Sequence, residues 1–183
     1  MEHGMTEEQI YYDLTMNGRT FAATQQTDGT WKSKAYTVSL PFTMRLEQLE
    51  NFENIKVYKL HEVDLDNGVL QFTNDFPVLM AGEPYLIVVE KGSFNLTGKD
   101  VLVKEEPMEP QEVKNADATK QMGWWCGTMK FLNNDELIAQ KAYIIQNDCM
   151  MKRVSKKHSK VSVSPFRAYF SALEPLTVKD FLL

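Results

Sequence analysis

Apolar and polar side chains alternate with a period of two along most of this chain, and that alternation constrains its fold more than any other feature. Within residues 35–42, Tyr36, Val38, Leu40 and Phe42 fall on one face while Thr37 and Ser39 take the other, the pattern of a strand covered on one side. Residues 19–24 read the same way, and the polar run 25–30 between the two suits a hairpin connection. Further strands are predicted over 55–60, over 69–72 after the Asp66-Asn67-Gly68 turn, and over 85–89, which Pro84 must open or flank because it lacks a backbone donor. Short extended pieces follow at 94–96 and 101–103, and strands resume at 123–131, 142–146, 151–154 and 166–170.

Helical signals are sparse. Leu46, Leu49 and Phe52 recur at three-residue intervals and predict a helix of about two turns. Asn133-Asn134-Asp135 before Glu136-Leu137 offers a cap to a second short helix. Residues 105–121 are acidic, interrupted by Pro107 and Pro110, and without periodicity, so they read as a long surface loop. The expected fold is therefore mainly β: an antiparallel β-sandwich with one or two short helices, and a jelly-roll-like form or a barrel as the next architectures.

With 183 residues the chain fits one domain, and its net charge of -5 offers no general footprint for nucleic acid or an anionic membrane. The longest apolar cluster, Tyr85-Leu86-Ile87-Val88-Val89, is strand-sized, so no membrane span is expected. The first residues lack the basic and apolar regions of a signal peptide, which leaves a cytoplasmic chain or a fragment whose export signal lies elsewhere. Cys126 sits among strand residues, where a reduced, buried thiol is expected, and a bridge to Cys149 is the less favoured reading.

Motifs for catalysis are missing. His61 lacks a second histidine four residues on, and Asp64, Asp66 and Gly68 lack the rest of a calcium loop, so this stretch reads as a strand end running into a turn. No nucleophile elbow or phosphate-binding glycine loop is present, and no catalytic residue, metal or cofactor is expected. The basic run 152–160 carries no aromatic stacking platform and reads as a protected hairpin tip, not as a nucleic-acid site. Gly123-Trp124-Trp125-Cys126-Gly127 is the most distinctive cluster: adjacent strand tryptophans point to opposite faces, so one can fill the core while the other faces outward as a platform for a sugar ring or an apolar partner.

Tyr143-Ile144-Ile145-Gln146-Asn147-Asp148, Lys152-Arg153-Val154 and the run from Val161 to Phe170 containing Pro165-Phe166-Arg167-Ala168-Tyr169-Phe170 together resemble a module recurring in large secreted and surface proteins of Bacteroides and its relatives. Val38-Ser39-Leu40-Pro41-Phe42 and Ala81-Gly82-Glu83-Pro84-Tyr85-Leu86-Ile87 fit the same module in the same order. The resemblance implies a β-sandwich-like module over 19–172, with an N-terminal extension over 1–18 and a tail or extra element over 173–183. It departs from the family at Cys149, where glycine usually follows the Asn-Asp turn. It also implies an extracellular or cell-surface location and a non-catalytic role in binding, adhesion or domain spacing. The partners implied are neighbouring domains or an extracellular protein or glycan. A glycan-binding module is the alternative, with Trp124, Trp125, Trp31 and Tyr169 as stacking candidates, and a hydrolase stands last.

Overall fold

The structure, a computed structural model, describes residues 11–74, 76–103, 106–146, 148, 151–176, 178 and 180–183. In chain order the strands are β1 (Tyr11–Ala22), β2 (Thr24–Gln25), β3 (Trp31–Lys32), β4 (Lys34–Ser39), β5 (Met44–Arg45), β6 (Ile55–Asp64), β7 (Val69–Asn74) and β8 (Val78–Leu79). They continue as β9 (Pro84–Val89), β10 (Ser93–Leu102), β11 (Gln111–Asn115), β12 (Gln121–Thr128), β13 (Ala142–Ile145), β14 (Met151–Arg153), β15 (Arg167–Ala172) and β16 (Asp180–Leu182). A helix, α1 (Asn134–Ala139), precedes β13. The mainly β, sandwich-like fold read from the alternation is the fold observed.

Strand β6 is the spine. One of its edges pairs with β7 from Tyr58 to Asp64; the other pairs first with β9, through Ile55 to Tyr58, and then in parallel with β11, at Glu62 and Val63. Between those two partners the register with β7 slips by one residue at His61, a bulge that bends the strand. From there the sheet divides into two leaves: β4-β9-β6-β7-β16 on one side and β14-β13-β15-β12-β11 on the other. The sheet is mixed, because β11 runs parallel to β6 and β16 parallel to β7.

Three apolar layers result. The first lies between the leaves and joins Ala35, Leu86, Val88 and Phe72 to Trp125, Phe170, Tyr143 and Phe181. A second lies on the outer face of β4, β9 and β6, where Tyr36, Val38, Tyr85 and Ile87 meet Phe21, Phe94 and Leu96 from the separate β1–β10 pair. The third lies on the outer face of β12, β13 and β15, where Leu137 of α1, Val154 and Val163 cover Cys126 and Tyr169. Strands β4 and β9 are consequently buried on both faces.

Several expectations are corrected. Thr37 and Ser39 do not face solvent; they are buried between the leaves, and the Ser39 hydroxyl donates to the Gly82 carbonyl at 3.1 Å. The turn at 25–30 exists but joins β2 to β3, while β4 pairs with β9 and β1 with β10. The repeat of Leu46, Leu49 and Phe52 gives two one-turn 3-10 segments, Leu46–Gln48 and Phe52–Asn54, because Asn51 between them adopts φ 62 and stops any helix from propagating. The expected loop at 105–121 contains β11, and the tail contributes β16 with Val178 and Phe181 in the core. Strand β1 begins at Tyr11, within the stretch read as an extension.

Other local readings hold. Asn133 caps α1: its side chain accepts from the Glu136 N–H, and the Glu136 carboxylate accepts from the Asn133 N–H, both at 2.9 Å. Asp64 accepts from the N–H and side-chain amide of Asn67 at 3.1 and 2.7 Å, so the acidic stretch after His61 is a closed hairpin turn.

Two close contacts set how the leaves pack on one another. Trp125 is 1% exposed, and its indole N–H donates to the Pro84 carbonyl of the opposite leaf at 2.9 Å, while its ring meets Phe72 edge-on at 5.6 Å. Nearby, a Cβ on Gly127 would stand 2.2 Å from the Ser39 hydroxyl, so only glycine lets β12 approach β4 this closely. Gly123 is under a similar constraint from its neighbour strand: a Cβ there would stand 2.2 Å from the Ser171 carbonyl oxygen.

A charge pair is also admitted, partly buried, beside the second layer. Lys59 and Glu83 pair at 2.7 Å, Glu83 accepts from the Tyr85 hydroxyl at 2.7 Å, and the lysine head sits 5.2 Å from the Phe76 ring centre. A fully engaged pair of this kind is tolerated because every lone charge has a partner. Trp125→Phe is expected to cost about 1–3 kcal/mol in denaturant unfolding, since it strands the Pro84 carbonyl, and Trp125→Ala about 3–5 kcal/mol. Gly127→Ala should cost about 1–3 kcal/mol, with part recovered in the Gly127→Ala/Ser39→Gly double variant; an uncoupled pair of losses would refute the contact.

Candidate functional site

The two leaves touch where Ser39 meets Gly127 and part toward the other end of β4. There a groove of about 490 Å³ opens, bounded by β4, β13, the start of β15 and residues 160–163. Lys34 and Thr37 line it from one leaf, and Ile145, Arg167 and Ala168 from the other, with Lys160 and Ser162 at the rim. Three cations thus face one carboxylate, Asp148, in a chain whose overall charge is negative.

Arg167 is fixed by an unusual piece of backbone. Phe166 before it adopts φ 66, which costs a residue with a Cβ roughly 1–2 kcal/mol. Two hydrogen bonds hold it there: the Phe166 carbonyl accepts from the Ser39 N–H at 2.9 Å, and its N–H donates to the Thr128 carbonyl at 2.7 Å. The kink sends the Phe166 ring into the outer core beside β4, so it does not share a layer with Ala168 and Phe170 as strict alternation predicts. Arg167 then lines the groove half-buried, with its Nε fully enclosed and without a hydrogen-bond partner. Burial lowers its pKa, opposed by Tyr36, yet a guanidinium remains charged at any ordinary pH.

The four aromatic candidates do not gather here. Trp125 is in the inter-leaf core and Tyr169 is 6% exposed beneath α1, its hydroxyl donating to the Gln140 side chain at 2.6 Å. Neither ring can stack on a ligand; both lie at positions where the outer or inner layer closes over them. Trp124 takes the outer face, as its neighbour's burial requires, and is partly covered by the third apolar layer, with Glu112 and Ser171 as cross-strand neighbours. Trp31 is partly buried against the second layer. Strict alternation puts Arg167 on the face of Tyr169, away from the inter-leaf layer, and an arginine among the apolar residues of this strand is the one local signal of the groove.

Elsewhere, His61 is the exposed residue of the β6 bulge and His158 lies on an exposed 3-10 turn. Among the described residues no three of His, Cys, Asp or Glu gather as ligands for a metal, and no helix is long and apolar enough to cross a membrane. Cys126 is buried and free, its thiol pushed up to about 12 by burial against smaller opposing hydrogen bonds from Tyr169 and Ser171. Cys149, and with it the proposed bridge, lies outside the described residues.

No family model, curated protein or solved structure matches the chain.

Burial keeps Cys126, Tyr85 and Tyr169 protonated in the fold. The folded chain therefore holds protons that the unfolded chain releases. For Cys126 that contribution is complete below the ordinary thiol value of 9.0 and is lost as pH climbs through about 12. Unfolding free energy is expected to fall with rising pH across this window, with a shallower slope in Cys126→Ala. In a Cys149→Ser background, native Cys126 should react with iodoacetamide at pH 8 only as fast as the fold opens; prompt stoichiometric labelling would contradict the burial.

Proposed function

We propose that this chain is a non-catalytic binding module of a secreted or surface-displayed bacterial protein, one that engages a ligand or positions neighbouring domains. The observation that carries the reading is the groove: an exposed concavity of ligand size lined, among the described residues, by three cations, one carboxylate, hydroxyls, an amide and aliphatic side chains. Such a surface recognises. Chemistry at neutral pH calls for a nucleophile beside a base, and Cys126, the nucleophile most easily activated in other proteins, is buried with its thiol protonated. The secreted setting rests on the resemblance of residues 161–170 and 81–87 to modules of Bacteroides surface proteins.

Glycan binding is the more specific form of this reading. It is favoured by Trp124, a partly buried indole between the polar residues Glu112 and Ser171 on the outer face of β12. A glycan array read alongside mass spectrometry of each hit is expected to show retention without cleavage. Trp124→Ala should weaken a stacking-dependent hit by roughly 1–3 kcal/mol while Trp31→Ala leaves it unchanged. Cleaved products would overturn the non-catalytic reading, and an array with no hits would replace glycan binding by a protein partner or a spacing role.

A further inference from the structure

An enclosed guanidinium nitrogen with no acceptor is a rare feature in a folded protein, because each such donor forfeits a hydrogen bond to water without gaining another. Here it belongs to Arg167, one of the residues that line the groove. The Nε of Arg167 is fully buried and unpartnered. Lys34 reaches the same space from β4 and Lys160 from the rim. None of the three cations forms an ion pair among the described residues, whereas Lys56 and Lys59 both do.

A guanidinium offers its donors in a planar fork that matches a carboxylate, and a charge-assisted pair of this kind is stronger in a partly enclosed site than in water. The surroundings narrow the ligand further. Thr37, Ser162 and Gln146 supply hydroxyl and amide groups around the cations, and Ile144, Val161 and Ala168 supply apolar surface. Carboxylate, ring hydroxyls and the apolar face of a pyranose are the three features of an acidic sugar. A volume of about 490 Å³ lies within the range of small-molecule sites.

We propose that this groove binds the carboxylate of an acidic sugar unit, with Arg167 as the principal contact and Lys34 and Lys160 as supporting charges. This deepens the binding-module reading and rests on it. The strained Phe166 is then a positioning residue: its carbonyl and N–H, bonded to Ser39 and Thr128, hold the start of β15 so that Arg167 meets the ligand already oriented.

The test is a two-dimensional amide NMR titration of the whole chain with methyl glucuronoside, methyl glucoside, inorganic sulfate and an N-acetylated dipeptide bearing a free C-terminal carboxylate. Methyl glucuronoside is expected to shift the amides of Thr37 and Ala168 saturably, at least about tenfold more tightly than the neutral glucoside. Arg167→Gln should weaken it by about ten- to a hundredfold and Arg167→Lys by less, because the charge survives but the fork does not. Lys160→Ala, at an exposed position that cannot unfold the chain, should weaken it about two- to fivefold and carries the test if Arg167→Gln fails to fold.

Equal affinity for glucuronoside and glucoside would overturn the proposal. So would sulfate binding as tightly as the glucuronoside, the dipeptide binding in its place, or undiminished binding by a folded Arg167→Gln. If the chain retains its array ligands in Arg167→Gln, the binding-module reading stands and this site falls. If the wild-type chain binds nothing in either experiment, this site and the glycan-binding form of the reading both fall, and a protein partner or a spacing role takes their place.

Discussion

An indole hydrogen bond between the two leaves anchors the interior of this molecule. Pro84 opens β9 and has no N–H to give, but its carbonyl is free to accept, and the Trp125 N–H reaches it at 2.9 Å across the interior. The ring delivers its apolar area to the inter-leaf core while its one polar atom is satisfied, which is the condition for burying a tryptophan without penalty. That bond fixes β12 over β9. The contact of Gly127 with Ser39 then sets how near β12 lies to β4, and the backbone bonds of Phe166 set where β15 begins. The groove is what remains where the leaves part, so its shape is decided by residues that do not line it.

The cluster of residues 123–127 that stood out in the sequence proves to be structural at every position but Trp124. Gly123 and Gly127 are demanded by close approach, Trp125 by the inter-leaf bond, and Cys126 by the outer core. Only Trp124 is left with part of its ring available. The chain's capacity for polar recognition lies instead in Arg167, one residue after a backbone kink that has to be held by two neighbours.

Alternation was a good guide wherever a strand had one wet face, and the turns at 66–68 and the cap at Asn133 were legible because their chemistry is local. It misled at β4, since Thr37 and Ser39 are small enough, and in the case of Ser39 hydrogen-bonded well enough, to be buried like apolar residues. Partners of strands were not legible. The turn at 25–30 looked like a hairpin between long strands, yet β1 found β10 and β4 found β9, because burial on both faces of β9 outweighs proximity in sequence. The parallel addition of β16 to β7 had no local signal at all. Arg167 was legible as a residue and not as a site: the two cations that join it, Lys34 and Lys160, come from two other stretches of chain.

Strand β9 carries a cost outside the folded state. Its five consecutive apolar residues, Tyr85 to Val89, are hidden only after β4, β6 and the β1–β10 pair have all arrived, and the pairings of Tyr11 with Leu102 and of Asp180 with Val69 close very long loops. Contacts so distant in sequence form slowly. During that interval the segment is an extended, uncharged ribbon able to join the same segment of another nascent molecule. Glu83 and Pro84 before it and Glu90 and Lys91 after it stand where gatekeeping residues are needed, so the motif that starts the central strand also guards it against self-association during synthesis.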